Sequence, residues 1–356
     1  MLDRPPANVL FSVCIPVRDD ASNLRQCLAG FRSQDRSYTE ILVCDDGSTA
    51  PVLADHMRDV GVEFRLIRQA PLGPAAARNH LAQIAAGRYL IFIDADTVPR
   101  SDMLECATRI VTAHPDLDVF YGSYDDEPAD RSLVSSYKNL LHHFTHQDSA
   151  RRNETVTTFW CGCGVIRAEL YRDAGGLSAF YDKPSIEDIE LGGRLAARGV
   201  EIRIFPELQV KHRKRWTVRS WLYTDLMRRG IPWVRLMRSR KTWGNQLNFS
   251  WAQRMASIAA VVTVVALLLS VLNAGFAVVA VAALATFLLA NLRFIDLVRR
   301  KRGLITAVLV VPLHLTYALV CVVAFGVGVL SPTLRLPSSA KLGQGEEFTK
   351  SNASFV

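Results

Sequence analysis

The chain has 356 residues, room for one large domain plus an appendage. Its formal charge is +8, and the excess crowds into 211–241 just ahead of charge-free sequence. That placement directs the basic surface to anionic lipid head groups or pyrophosphates rather than to nucleic acid. Seven cysteines without framework spacing fit a reducing compartment, and Cys161-Gly162-Cys163 lacks the second pair that a zinc site needs.

The predicted elements begin after Met1-Leu2-Asp3-Arg4-Pro5-Pro6, which has neither the basic start nor the apolar core of a signal peptide. A cytosolic first domain is therefore expected. Phe11–Val17 is a short apolar run without helical period, hence a buried strand. A helix over Asn23–Phe31 follows, then a strand over Glu40–Cys44 that ends in Asp45-Asp46-Gly47-Ser48-Thr49. Next come a helix near Pro51–Val60, a strand over Glu63–Arg68, and a helix over Ala75–Ala86 opened by Gly73-Pro74 and closed by Gly87. Tyr89–Ile93 is the fourth strand and stops at Asp94; a helix at Ser101–Ala113 follows. Such alternation predicts an α/β fold, a mainly parallel sheet with helices on both faces. Ligands of such sheets bind beyond the carboxyl ends of the strands, where both acidic clusters fall. Neither G-x-G-x-x-G after the first strand nor G-x-x-x-x-G-K-[ST] anywhere is present, which removes the phosphate cradles of dinucleotide dehydrogenases and P-loop ATPases.

Further along, 217–241 reads as a basic amphipathic interfacial region, interspersed with Trp221 and Trp233, flanked by Trp216 and Trp243, and broken at Gly230-Ile231-Pro232. From Met255 to Leu292, and again from Leu304 to Leu334, there is no Lys, Arg, Asp or Glu. These stretches predict about three membrane helices, 255–272, 275–292 and 304–330. The resulting division is a catalytic domain over 1–216, the interfacial region over 217–253, the membrane region over 254–334 and a polar, disordered tail over 335–356. Three spans with a cytosolic start return Arg299-Arg300-Lys301-Arg302 to the cytosol, as the positive-inside rule requires. A multi-pass protein of the cell membrane with a cytosolic catalytic domain is expected.

Asp94 and Asp96 stand one residue apart on the turn after a strand. Two such carboxylates can hold a divalent cation, which neutralises the charge that develops on a departing diphosphate. Alone, the pair also fits a helix N-cap ahead of 101–113. Glu187-Asp188 supplies a further carboxylate for proton transfer, or a solvated helix start.

Taken in order, Val13-Cys14-Ile15-Pro16-Val17-Arg18-Asp19, Asp45-Asp46-Gly47-Ser48-Thr49, Gly73-Pro74-Ala75-Ala76-Ala77-Arg78-Asn79, Phe92-Ile93-Asp94-Ala95-Asp96-Thr97-Val98-Pro99, Asp173-Ala174-Gly175-Gly176-Leu177 and Ile186-Glu187-Asp188-Ile189-Glu190-Leu191 closely resemble the family 2 glycosyltransferases of GT-A fold, over about residues 8–230. The resemblance implies inverting transfer of a sugar from a nucleotide-diphospho-sugar to a lipid or saccharide acceptor. It implies Pro16 and Val17 lining the nucleotide pocket, Asp46 with Asp45 on the base, and Arg78 over base and diphosphate. Asp94 would approach the ribose and sugar, Asp96 would ligate Mg²⁺ or Mn²⁺, and Asp188 would act as general base. His212 falls where relatives carry a further metal or phosphate contact. Trp160, Gly162 and Glu187 fall on the acceptor side, where Trp160 fits either a sugar platform or a packed core. Arg213-Lys214-Arg215-Trp216 is similar to the Q-x-x-R-W signature of processive members, with His212 in place of the Gln, and implies Arg215 on the diphosphate. The acidic turn continues Thr97-Val98-Pro99 instead of the Gln-His-Pro of dolichyl-phosphate-type synthases, which weakens a polyprenyl-phosphate acceptor and leaves a different lipid-linked acceptor open. Membrane-bound nucleotidyl transfer and non-catalytic sugar-nucleotide binding remain open as alternatives.

Overall fold

The structure is a computed structural model that describes residues 8–152, 156–181, 183–241 and 250–332. Trp243 and the tail 335–356 lie outside the described residues. The described residues up to 216 carry eight strands: β1 (Phe11–Val17), β2 (Thr39–Asp46), β3 (Arg65–Gln69), β4 (Tyr89–Ile93), β5 (Thr97–Pro99), β6 (Val119–Tyr124), β7 (Cys163–Arg167) and β8 (Ile202–His212). Their helices are α1 (Ala21–Ala29), α2 (Pro74–Ile84), α3 (Met103–Ala113), α4 (Leu133–Arg151), α5 (Ala168–Asp173) and α6 (Glu187–Ala197), with a 3₁₀ turn at Ala54–Val60. All the strands join one sheet in the order β3-β2-β1-β4-β7-β6-β8-β5.

The sheet is mixed, with parallel pairings in the majority as expected, β6 with β8 among them. β1 to β4 pair in parallel with one another, as the strand–helix alternation requires. β7 then runs antiparallel to β4 and β6, and β5 antiparallel to β8. The alternation ends after α3, and with it the sequence basis for a parallel register. Helices cover both faces. Leu24 and Leu28 of α1 pack with Met103 and Ile110 of α3 on one side, and Leu81 of α2 with Tyr171 of α5 and Leu191 of α6 on the other. β1 and β4 are buried along their whole length, which is why they read as unbroken apolar runs.

Local chemistry fixes the element ends. Asp20 caps α1 through Asn23 N–H. Gly73 precedes α2 at φ 96°, a left-handed value that suits glycine, and Pro74 opens the helix.

After β8 the chain becomes helical: α7 (Val218–Tyr223), a π-helical turn at Thr224–Gly230, α8 (Ile231–Arg240), α9 (Trp251–Leu269), α10 (Gly275–Ala290), α11 (Leu292–Arg302) and α12 (Leu304–Leu330). The expected break at Gly230-Ile231-Pro232 is instead a widening. Gly230 and Ile231 keep right-handed helical angles, and the π turn absorbs the hydrogen bond that Pro232 cannot donate. α9 and α12 are long and apolar enough to cross a membrane; α10 and α11 pass the same test only as one pair, bent by 68°. Phe294 and Val298 of α11 pack against Tyr137 and Leu140 of α4. Lys301 pairs with Asp126, and Arg293 with Asp148. The basic segment 299–302 is thereby fastened to the soluble domain. α12 rests one side on the same unit, from Ala307 in the α4–α11 cluster to Gly328 against Val234 of α8. Its other side is bare and apolar, with Ile305, Val308 and Val323 exposed.

Candidate active site

The carboxyl ends of β1, β2 and β4, the start of α6 and the end of β8 meet around one cavity of about 960 Å³. Pro16, Val17, Asp46, Arg78, Asp94 and Asp96 line it. So do Trp160, Gly162, Glu187, Asp188 and His212.

Arg78, in the second turn of α2, is 5% exposed. Its guanidinium clasps Asp94 and reaches Glu187 at 3.4 Å. A buried cation between two carboxylates fixes both, so Arg78 is a brace under the site. Burial pushes the Asp94 carboxyl up, opposed by the Arg78 charge. Asp96 behaves differently. Against the opposing effect of burial, hydrogen bonding and charge from His212, and charge from Lys214, hold it below the usual carboxylate range. His212 Nε2 lies 3.7 Å from Asp96 Oδ2, and its ring stacks on Tyr124 with centroids 4.3 Å apart.

Asp46 reaches the cavity, yet its oxygens serve a loop. Oδ1 accepts from Gln69 Nε2 at 2.8 Å and Leu72 N–H at 2.9 Å, and Oδ2 from Gly73 N–H at 2.9 Å. The loop that opens α2 is thereby shaped from below. Asp45 is not brought to the cavity. Fully buried, it accepts from Ser48 N–H at 2.8 Å and Val52 N–H at 3.1 Å and stiffens the turn after β2. Arg215 is also outside: its side chain is 82% exposed, 3.7 Å from Asp130. The reason is alternation in extended backbone. His212, Lys214 and Trp216 line the cavity, whereas Arg213 turns to Asn23 and Arg215 to Asp130.

Asp188, in the first turn of α6, accepts from Cys161 N–H at 3.1 Å. Burial pushes its pKa up to about 7, helped by the negative charge of Glu187, while Arg78 and the two backbone donors work against the rise. Glu187 accepts from Ser185 N–H at 2.8 Å besides Arg78. Gly162 is required where it stands, since a Cβ there would lie 2.3 Å from the Trp160 ring. Trp160 in turn packs edge-on to Tyr124 at 4.8 Å and against His142 at 4.8 Å.

Sequence reading missed several residues of this wall. Tyr124, His142 and His146 meet in series as tilted rings, with the His142 centroid 4.5 Å from Tyr124 and 4.3 Å from His146. Burial holds His146 down to about 3, so its imidazole is neutral. His146 Nδ1 sits 3.0 Å from Gly122 O, an acceptor only, so that nitrogen carries the proton. The i, i+4 spacing of His142 and His146 on α4 was the available sign that they share a face.

Among the described residues no three His, Cys, Asp or Glu side chains cluster as a ready metal cage. The donor set Asp96–His212 nonetheless fits a hard divalent ion that takes one or two protein ligands and completes its shell with substrate phosphates and water. Beyond Asp188 the cavity runs on to Ser257 and Ile258 of α9 and to Tyr317 and Phe325 of α12.

A model described as glycosyl transferase family 2 matches residues 12–175. The pre-mycofactocin glycosyltransferase of Mycobacterium tuberculosis is 28% identical over 229 residues, 62% of this chain and 46% of that protein. The UDP-Glc:alpha-D-GlcNAc-diphosphoundecaprenol beta-1,3-glucosyltransferase WfgD of Escherichia coli is 26% identical over 169 residues, 46% of this chain and 60% of that protein. The chain thus spans under two thirds of the length of either relative. Among solved structures, the mannosyltransferase PcManGT from Pyrobaculum calidifontis, in complex with GDP-Man and Mn²⁺, superposes with a TM-score of 0.53 at 14% identity, over 91% of this chain and 88% of its own. The family match begins in β1, runs through the Asp94–Asp96 turn and ends just past α5, so over this segment the chain is similar to glycosyl transferase family 2, and the superposition shows a shared fold.

Proposed function

We propose that this chain transfers a sugar, with inversion, from a nucleotide-diphospho-sugar to a hydroxyl of a lipid-linked saccharide at the cytosolic face of the cell membrane. One observation carries the reading: a single cavity joins the acidic turn and Asp188 to the apolar flank of α9 and α12. A membrane-held acceptor and a soluble donor can meet there. The fastening of the basic segment 299–302 to the soluble domain supports a common, cytosolic side for both. An impermeant maleimide should accordingly label Arg300→Cys in inside-out vesicles and spare it in sealed right-side-out cells.

In this reading the nucleotide lies along Pro16, Val17 and the loop that Asp46 shapes. Asp94, held by Arg78, faces the donor sugar. Asp96 and His212 hold Mg²⁺ or Mn²⁺, which supplies positive charge against the leaving diphosphate. Asp188 takes the proton of the acceptor hydroxyl as its oxygen bonds to the anomeric carbon. The bond from that carbon to the diphosphate oxygen breaks, and nucleoside diphosphate departs. Glu187 keeps Asp188 basic enough to accept a proton near neutral pH. Trp160 offers a face to the acceptor sugar.

The test is nucleoside diphosphate release from UDP-, GDP- and dTDP-sugars by purified full chain with a membrane lipid extract. Activity should need divalent metal, vanish with EDTA, and fall in Asp96→Ala and Asp188→Ala. Full activity in both variants would remove these assignments. Release of pyrophosphate instead would show nucleotidyl transfer.

A further inference from the structure

Arg229 is a cavity cation that the donor chemistry leaves unused. It sits on the π-helical turn 224–230, and such turns are rare and frequent at functional sites. Among the described residues it forms no ion pair. The nearest carboxylate in sequence, Asp225, is already committed: Lys138 Nζ lies 2.6 Å from it and Trp221 Nε1–H donates to it at 2.7 Å. Asp94 and Asp96 are engaged by Arg78 and His212. Lys214 lines the same wall, 4.3 Å above the Trp216 ring, and among the described residues it forms no direct ion pair, its charge acting on Asp96 from a distance. The Arg229 charge acts on Tyr124, Lys138, His142 and Lys214, which sets the guanidinium among them. Arg229, half-buried on the wall of a partly closed cavity and without a carboxylate partner among the described residues, is stabilised by an anion that joins it, and the exposed Lys214 ammonium can reach the same anion.

The position of Arg229 is fixed by packing. A Cβ on Gly230 would lie 2.6 Å from the Ala324 methyl of α12, so the backbone of the π turn is pressed onto that helix. Arg229 therefore stands where the polar cavity meets the apolar helices. Beyond it, Ile258 of α9 and Val322 and Phe325 of α12 line the cavity while being 55%, 36% and 46% exposed. The cavity accordingly opens on the apolar flank. An occupant that suits all three regions has a hydroxyl near Asp188, an anionic group at Arg229 and hydrocarbon at the flank.

We propose that Arg229 and Lys214 form the binding station for the phosphate or diphosphate of a lipid-linked sugar, whose lipid chain leaves the cavity between Ile258 and Phe325. This rests on the reading of the cavity as an acceptor site given above. The step itself is recognition: no bond to the acceptor phosphate forms or breaks.

The experiment is equilibrium binding to the full chain in detergent, with farnesyl diphosphate, farnesol and inorganic pyrophosphate as probes. Farnesyl diphosphate should bind at least about 10-fold tighter than either of the others, since both ends contribute. Arg229→Gln should weaken it about 10- to 100-fold, Lys214→Gln by less, and Arg229→Lys should restore part of the loss. Farnesol affinity and the melting temperature should not move. Nucleoside diphosphate affinity in Mn²⁺ should also be unchanged in Arg229→Gln; an equal loss there would assign the arginine to the donor and overturn the proposal. Equal binding of farnesol and farnesyl diphosphate by the wild type, or wild-type affinity in Arg229→Gln, would overturn it too. Pyrophosphate binding as tightly as the lipid would show an anion site without a lipid. If no nucleotide sugar binds while farnesyl diphosphate behaves as expected, the transferase reading falls and the phosphate station stands.

Discussion

The elevated pKa of Asp188 makes a quantitative demand on the pH profile. A general base works only when ionised, and burial beside Glu187 places half-ionisation near pH 7. The ionised fraction is then about 10% at pH 6 and about 1% at pH 5. At saturating Mn²⁺ and donor, kcat/KM for the acceptor should climb roughly tenfold per pH unit up to about 7 and flatten above it. Glu187→Gln removes the like charge and frees Arg78 from its second carboxylate, and both changes favour the carboxylate form of Asp188. The midpoint should move to lower pH. Asp188→Asn should cost about 10²- to 10⁴-fold in rate with the fold intact. Stability gives an independent check. The folded-state pKa lies above the ordinary aspartate value of 3.8, so the folded state keeps a proton that the unfolded chain has released between about pH 4 and 7. Stability from this group is full below pH 4 and lost as pH rises through 7. Asp188→Asn should therefore raise the melting temperature at pH 8 more than at pH 4. A flat rate profile between pH 5.5 and 8, or a midpoint unmoved by Glu187→Gln, would refute the assignment.

Arg78→Met strands Asp94 and Glu187 without their shared cation. Because the Asp94 side chain is 33% open, the cost belongs at the low end for a broken buried pair, about 3 kcal/mol. Calorimetry should register a melting point lower by about 6–12 °C. Gly162→Ala puts a methyl into the Trp160 ring. Tryptophan fluorescence should report a displaced ring and the acceptor KM should rise, with nucleotide affinity held. Arg215→Ala should leave nucleoside diphosphate affinity within about twofold, since this side chain faces Asp130. A tenfold loss would return Arg215 to the donor site.

Much of the site was legible because its parts sit at strand ends that sequence marks well. The apolar runs of β1 and β4 end at Pro16 and Asp94, and a parallel pairing carries both to the same edge of the sheet. What periodicity does not encode is which oxygen or guanidinium is spent on the fold. Asp45 and Asp46 are neighbours with the same side chain. Strand alternation turns one into a buried turn and lets the other reach the cavity. The same alternation separates Lys214 from Arg215, and a reading by motif alone chose the outward one. Arg78 was legible as a site residue, but its work as a brace depends on Glu187, 109 positions away in sequence. The acceptor wall was hidden for another reason. His142 and His146 come from α4, Trp160 from the loop before β7 and Arg229 from a π turn, and no local pattern links such segments. They converge because α4 lies under the helical C-terminal part, with Tyr137 and Leu140 packed on α11 and α12. The apolar C-terminal sequence thus does more than mark a membrane. By gripping α4 it fixes which face of that helix turns toward Asp188, and so couples the candidate membrane helices to the geometry of the proposed acceptor side.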